Sequence, residues 1–191
     1  MPALVYIHGF LSSPQSFKAQ ATQHWLADQI PSISFICPAL SSYPEQAAMQ
    51  LDRTLDALKS EKVYLIGSSL GGFWASWLIE TERAHKAVLI NPAVEPQVLV
   101  ESLIGQTVEN YYNGESYKLQ KSDAAFLKQC DLKVEKSAAY WLMVQQGDET
   151  LDYRKAVNKY HRCKQLVEKG GSHTFDNYQQ WLPKIMQFLS E

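Results

Sequence analysis

The chain is 191 residues long, 46% hydrophobic and 20% charged, with a formal net charge of −2. That length suits one domain, 1–191, with a single substantial core, and the charge balance offers no basic excess to hold nucleic acid or anionic lipid. No apolar run nears the roughly 18 residues that span a bilayer, and the N-terminus shows neither a basic region nor a small-residue cleavage site, so a cytoplasmic protein is expected.

In chain order, "ALVYIH" at 3–8 opens a series of short β-branched or aromatic runs, each read as a strand buried on both faces. The others are "SISFIC" at 32–37, "KVYLIG" at 62–67, "KAVLIN" at 86–91, "YWLMVQ" at 140–145 and "KQLVEK" at 164–169. Segments with helical spacing separate the first four: Pro14 to Gln29, Pro44 to Ser60 and Ser69 to Glu80. This alternation predicts an α/β fold with right-handed crossovers: a six-stranded, mostly parallel sheet with helices on both faces. From Pro92 to Ser137 no strand is predicted. There, two helical pieces, "PQVLVESLIG" and "SDAAFLKQC", flank a tyrosine-rich loop, "VENYYNGESYKL", and an insertion of that length reads as a short helical cap. Helices near Tyr153 to Tyr160 and from about Phe175 to Leu189 complete the set.

Within "LIGSSLGGFW", Leu65 to Trp74, Gly67 and Gly71 bracket Ser69 in a G-x-S-x-G register and leave Ser68 as its neighbour. A serine hydroxyl is a poor nucleophile unless it is held at an exposed point beside a base. A sharp strand-to-helix turn provides that exposure, with the glycines removing side-chain collisions and Gly72 letting the helix approach the sheet. The helix start leaves the Leu70 N–H free to hold an oxyanion.

In a parallel sheet the remaining parts of such a site should follow the carboxyl ends of strands. His24 falls in a helical segment, and His85 and His161 precede strands, whereas His173 follows "KQLVEKGGS" and is the candidate general base. His8 follows the first strand, where the His8-Gly9 pair would turn the N–H of Phe10, or of Leu11, toward the serine while the His8 ring braces the loop. Asp148 stands just past the strand before the histidine strand and is the candidate acid; Asp152 is second, because helix N-capping explains it. Cys37, Cys130 and Cys163 are odd in number and never spaced as CxxC, which argues against a disulfide framework and a zinc site.

With these parts in the order Ser, Asp, His, the chain resembles the α/β-hydrolase superfamily over essentially its whole length. More narrowly, "YIHGFLSSP", "LIGSSLGGFWA", "LINPAV", "QQGDETLDYR" and "GGSHTF" are similar to the small bacterial YqiA-type esterases. The resemblance implies Ser69 as nucleophile, His173 as base, Asp148 as acid, and Phe10 with Leu70 as backbone oxyanion donors. It also implies a sheet that begins at the superfamily's third strand. Some members carry the acid after the strand that follows the elbow; here that place holds Asn91, which has no carboxylate.

The expected activity is hydrolysis of a small-molecule ester or acyl thioester without a metal or organic cofactor. Tyr111, Tyr112 and Tyr117 are candidates to cover the acyl group. The competing expectation is a noncatalytic module on the same scaffold that holds an acyl ligand or a protein partner.

Overall fold

Side chains alternate across a strand with a period of two, so each strand residue is sorted onto one of two helix layers. In the computed structural model, which describes residues 2–58, 62–110 and 112–191, the elements run as follows. They are β1 (Ala3–Ile7), α1 (Phe17–Gln29), β2 (Ser34–Ile36), α2 (Pro44–Ala57), β3 (Val63–Ser68), α3 (Leu70–Glu80), β4 (Lys86–Ile90), α4 (Pro96–Leu103), β5 (Val108–Glu109), β6 (Ser116–Tyr117), α5 (Lys121–Cys130), β7 (Tyr140–Gln145), α6 (Tyr153–Lys159), β8 (Lys164–Glu168) and α7 (Leu182–Ser190).

The main sheet has the order β2-β1-β3-β4-β7-β8, and all its pairings are parallel. Val5, Ile7, Leu65, Leu89 and Leu142 pack with the layer of α2, α3, α5 and α6. Leu4, Tyr6, Ile66, Val88 and Met143 pack with α1 and α7 through Leu26, Ile185 and Leu189. From β1 the chain steps to β2 on one side and then to β3 on the other, so the order reverses between β1 and β3. Crevices form at the carboxyl ends of strands beside such a reversal.

Several boundaries differ from the sequence reading. β2 and β8 are edge strands, with Ser34 and Lys164 exposed, because only one neighbour covers each. Two-sided burial holds for β1, β3 and β7, and for β4 beyond Lys86, which is half-buried. The helix expected from Pro14 begins at Phe17. The one expected to reach Ser60 ends at Ala57, and Ser60 itself lies outside the described residues. The last helix begins at Leu182 and not near Phe175: Phe175 and Asn177 take left-handed backbone, and Pro183, lacking an N–H, fits only the first turn. Within 92–137 the tyrosine-rich loop carries a two-residue antiparallel pair, β5 with β6, too short to leave an alternating pattern. In the same insertion α5 packs inward. It buries Ala124, Leu127 and Cys130 in the core beside α2 and α3.

Candidate active site

The run Val63 to Ile66 is β-branched, aromatic or aliphatic throughout, and β3 buries it on both faces. It delivers Ser69 to the carboxyl edge, where the chain turns at φ 55° and ψ −121° into α3. That conformation costs a non-glycine residue about 1–3 kcal/mol and persists only where neighbours fix it. Here the Ser69 N–H donates to Ile90 O at 3.0 Å, and its carbonyl accepts from Gly72 and Ala93 at 2.9 Å each. A Cβ at Gly67 would lie 2.3 Å from Gly71 O, and one at Gly71 would lie 1.9 Å from Ile7 O. The bracket therefore exists because three backbone segments meet at contact distance.

From this turn the Ser69 hydroxyl donates to His173 Nε2 at 3.1 Å. On the far side of the ring, Nδ1–H donates to Asp148 at 2.8 Å (Oδ2) and 3.0 Å (Oδ1). The Asp148 side chain is 2% exposed, and its Oδ1 also accepts the N–H groups of Thr150 and Leu151 at 2.8 Å each. Burial by itself would raise this carboxyl, but His173 and the two N–H groups outweigh it and hold the group below its ordinary value. Asp152 caps α6 by accepting from Arg154 N–H and pairs with the Arg154 guanidinium, so it is occupied away from the imidazole.

The β1 turn passes directly over the serine. A Cβ at Gly9 would meet Ser69 Cβ at 3.2 Å and Ser69 Oγ at 3.6 Å. His8 is buried, its Nδ1–H donating to Gly9 O at 2.9 Å and its Nε2 accepting the Leu40 N–H at 3.0 Å. Burial lowers its pKa, and one donor with one acceptor is the pattern of a neutral ring. His8 thus ties the Gly9 turn to the segment after β2. Of the other histidines, His85 Nδ1 accepts the Val63 N–H, His161 Nδ1 contacts Asn158 O, and His24 is exposed on α1. Burial pushes the Cys37 thiol up to about 12 and those of Cys130 and Cys163 up to about 11, so none is a thiolate at neutral pH.

Ser69 opens into a cavity of about 450 Å³ lined by Phe10, Leu70, Val98, Leu99 and Leu151 among others. Among the described residues, α4 supplies much of the apolar wall and the tyrosine loop supplies none of it. Tyr112 is 56% exposed, Tyr117 is buried edge-on against Tyr43 with ring centroids 5.1 Å apart, and neither lines the cavity; Tyr111 lies outside the described residues. A tyrosine-rich string carries no signal of direction, whereas exposed Val98 and Leu99 on a short helix do mark an uncovered apolar face. Gln145 and Glu149 hold the His173 loop, a role that the sequence does not show for either, and Asn91, read from sequence only as lacking a carboxylate, holds it too. Among the described residues, no group of three His, Cys, Asp or Glu side chains could hold a metal ion.

A parallel sheet reversing between β1 and β3, with a strained serine turn after β3, defines the α/β-hydrolase fold. Within that superfamily the chain belongs to the family described as "Uncharacterised protein family (UPF0227)", the YqiA-like group, whose sequence model matches residues 3–190. Its fold is similar to that of a protein from Agrobacterium vitis S4, at 17% identity and TM-score 0.77 over 100% of this chain and 88% of that one. It is also similar to mouse alpha/beta hydrolase domain-containing protein 10 (17%, TM-score 0.73, 98% and 89%). A third similar structure is Est1E from Butyrivibrio proteoclasticus (14%, TM-score 0.71, 99% and 87%). No described helix is long and apolar enough to cross a membrane.

Proposed function

We propose that this chain is a serine hydrolase that cleaves carboxylic esters or acyl thioesters through an acyl-enzyme on Ser69. One observation carries the reading: an unbroken chain of hydrogen bonds from Ser69 Oγ through His173 to the buried Asp148, at the mouth of an apolar cavity. In this mechanism Ser69 Oγ attacks the substrate carbonyl carbon while His173 Nε2 takes its proton. The oxyanion is held by the N–H groups of Phe10 and Leu70, two residues that line the cavity beside Ser69. Collapse of the tetrahedral intermediate expels the alcohol or thiol, protonated by His173, and water then releases the acid by the same steps. Asp148 keeps Nδ1 protonated, so that Nε2 is the free base, and stabilises the imidazolium.

The test is to label the protein with a fluorophosphonate, locate the adduct by mass spectrometry, and assay p-nitrophenyl esters and acyl-CoAs beside Ser69→Ala. A label on Ser69 and turnover lost in Ser69→Ala are expected. No label and no turnover would defeat the hydrolase reading and favour a noncatalytic acyl-binding module.

A further inference from the structure

His173 lies in a loop that no strand or helix contains, between left-handed Gly170 and Gly171 and left-handed Phe175. Its ring geometry therefore depends on what holds the loop, and side chains from two neighbouring strand ends do so. Asn91, just past β4, donates from Nδ2 to Ser172 O at 2.9 Å and to His173 O at 3.1 Å. Gln145, the last residue of β7, accepts at Oε1 from the N–H of Ser172 (3.1 Å) and of Asp176 (2.8 Å), and donates from Nε2 to Asp176 O at 3.0 Å. The two are joined directly, since Asn91 Oδ1 accepts the Gln145 N–H at 3.0 Å. On the outer side Glu149 Oε2 accepts the His173 N–H at 3.0 Å, and Lys18 Nζ donates to Thr174 O at 2.8 Å.

Asn91 and Gln145 are both buried, 2% and 3% exposed, and Asn91 holds φ 39° to aim its amide. Buried amides are costly unless satisfied, and these two are satisfied chiefly by the loop that carries His173. Resting on the reading of His173 as the base for Ser69, we infer that Asn91 and Gln145 from within, and Glu149 from outside, are positioning residues that fix the imidazole between Ser69 and Asp148. The polarity of the Asn91 amide, not its bulk, carries the function: a carboxylate of the same shape would face the Ser172 and His173 carbonyls with no donor.

The experiment compares wild type with Asn91→Asp and Glu149→Ala, measuring p-nitrophenyl acetate hydrolysis and the downfield proton resonance of His173 Nδ1–H by NMR. Asn91→Asp is expected to lower kcat about 100-fold with KM changed less than about threefold, and to shift or broaden the Nδ1–H resonance. A folded Asn91→Asp protein with kcat within about threefold of wild type and an unchanged resonance would overturn the inference. Should that variant not fold, the exposed Glu149→Ala decides: about a tenfold loss of kcat with a shifted resonance supports positioning, and neither change overturns it. A wild-type protein that neither turns over ester nor labels at Ser69 defeats the hydrolase reading alone, because the resonance still reports whether these residues hold the ring.

Discussion

His173 Nδ1 sits 2.8 Å from Asp148 Oδ2, and Asp148 Oδ1 takes the N–H groups of Thr150 and Leu151 as well. The carboxylate is thus fixed before the imidazole meets it. Asp148→Asn would present an amide that either repels Nδ1–H or forces the wrong tautomer, and kcat for a p-nitrophenyl ester is expected to fall by about 10⁴. Asp152→Asn keeps the N-cap acceptor and loses only an exposed pair with Arg154, so kcat should stay within about threefold of wild type. Equal losses in steady-state assays of the two variants would remove Asp148 from its role.

The glycines of the elbow differ in what surrounds them, and their substitutions should separate. A Cβ at Gly71 meets the Ile7 carbonyl carbon at 2.6 Å as well as its oxygen at 1.9 Å, backbone that cannot swing aside. Gly71→Ala is expected to yield no stably folded protein. At Gly9 the added methyl meets Ser69 Cβ at 3.2 Å, which a shift of a few tenths of an ångström relieves. Gly9→Ala should melt cooperatively within a few degrees of wild type yet lose about tenfold or more in kcat, because the Phe10 N–H moves with the turn. Thermal melts beside ester assays check both. A Gly71→Ala protein as stable as wild type would show that β1 and α3 do not meet as tightly as the elbow requires.

The parts of the fold that sequence shows are those set by strong local rules. Val63 to Ile66 followed by Gly67 and Gly71 reads as a buried strand entering a tight turn, and the glycine register picks out Ser69. That His173 and Asp148 lie at the same edge as Ser69 is legible because a parallel sheet sends its strand ends to one edge. Asn91 and Gln145 are not, since a polar residue ending a strand looks the same whether it meets solvent or a buried loop. The cavity wall is illegible for a related reason. Which side of α4 faces Ser69 depends on how α4 packs against α5, a contact no short window of sequence contains.

On the proposed hydrolase reading, the cavity lining makes α4 the expected source of acyl-chain specificity. Leu99→Trp adds an indole to the wall beside Leu70 and Leu151, so kcat/KM for p-nitrophenyl octanoate should fall about tenfold or more while that for the acetate changes less than about threefold. Tyr112→Ala, at an exposed tip of the β5–β6 loop, should alter neither. An assay of ester chain length across both variants checks the assignment. Selective loss in Tyr112→Ala and none in Leu99→Trp would return the acyl group to the tyrosine loop.

His8 gives a pH dependence with a definite sign. Burial depresses its folded pKa below the ordinary value of about 6.5, so as pH falls through that value the unfolded chain takes a proton that the folded chain refuses. Its contribution is fully present above about pH 6.5 and is lost as pH drops toward the folded pKa. His8→Leu removes the titration and the acceptor for the Leu40 N–H together. Urea denaturation at pH 8 should find the variant less stable by about 1–3 kcal/mol, the cost of leaving a buried donor unpaired. Below pH 6.5 the gap should narrow, because only wild type loses stability through His8 there. A gap that stays constant from pH 8 to pH 5 would mean that the ring accepts a proton in place, and that the Gly9 turn over Ser69 does not depend on a neutral imidazole.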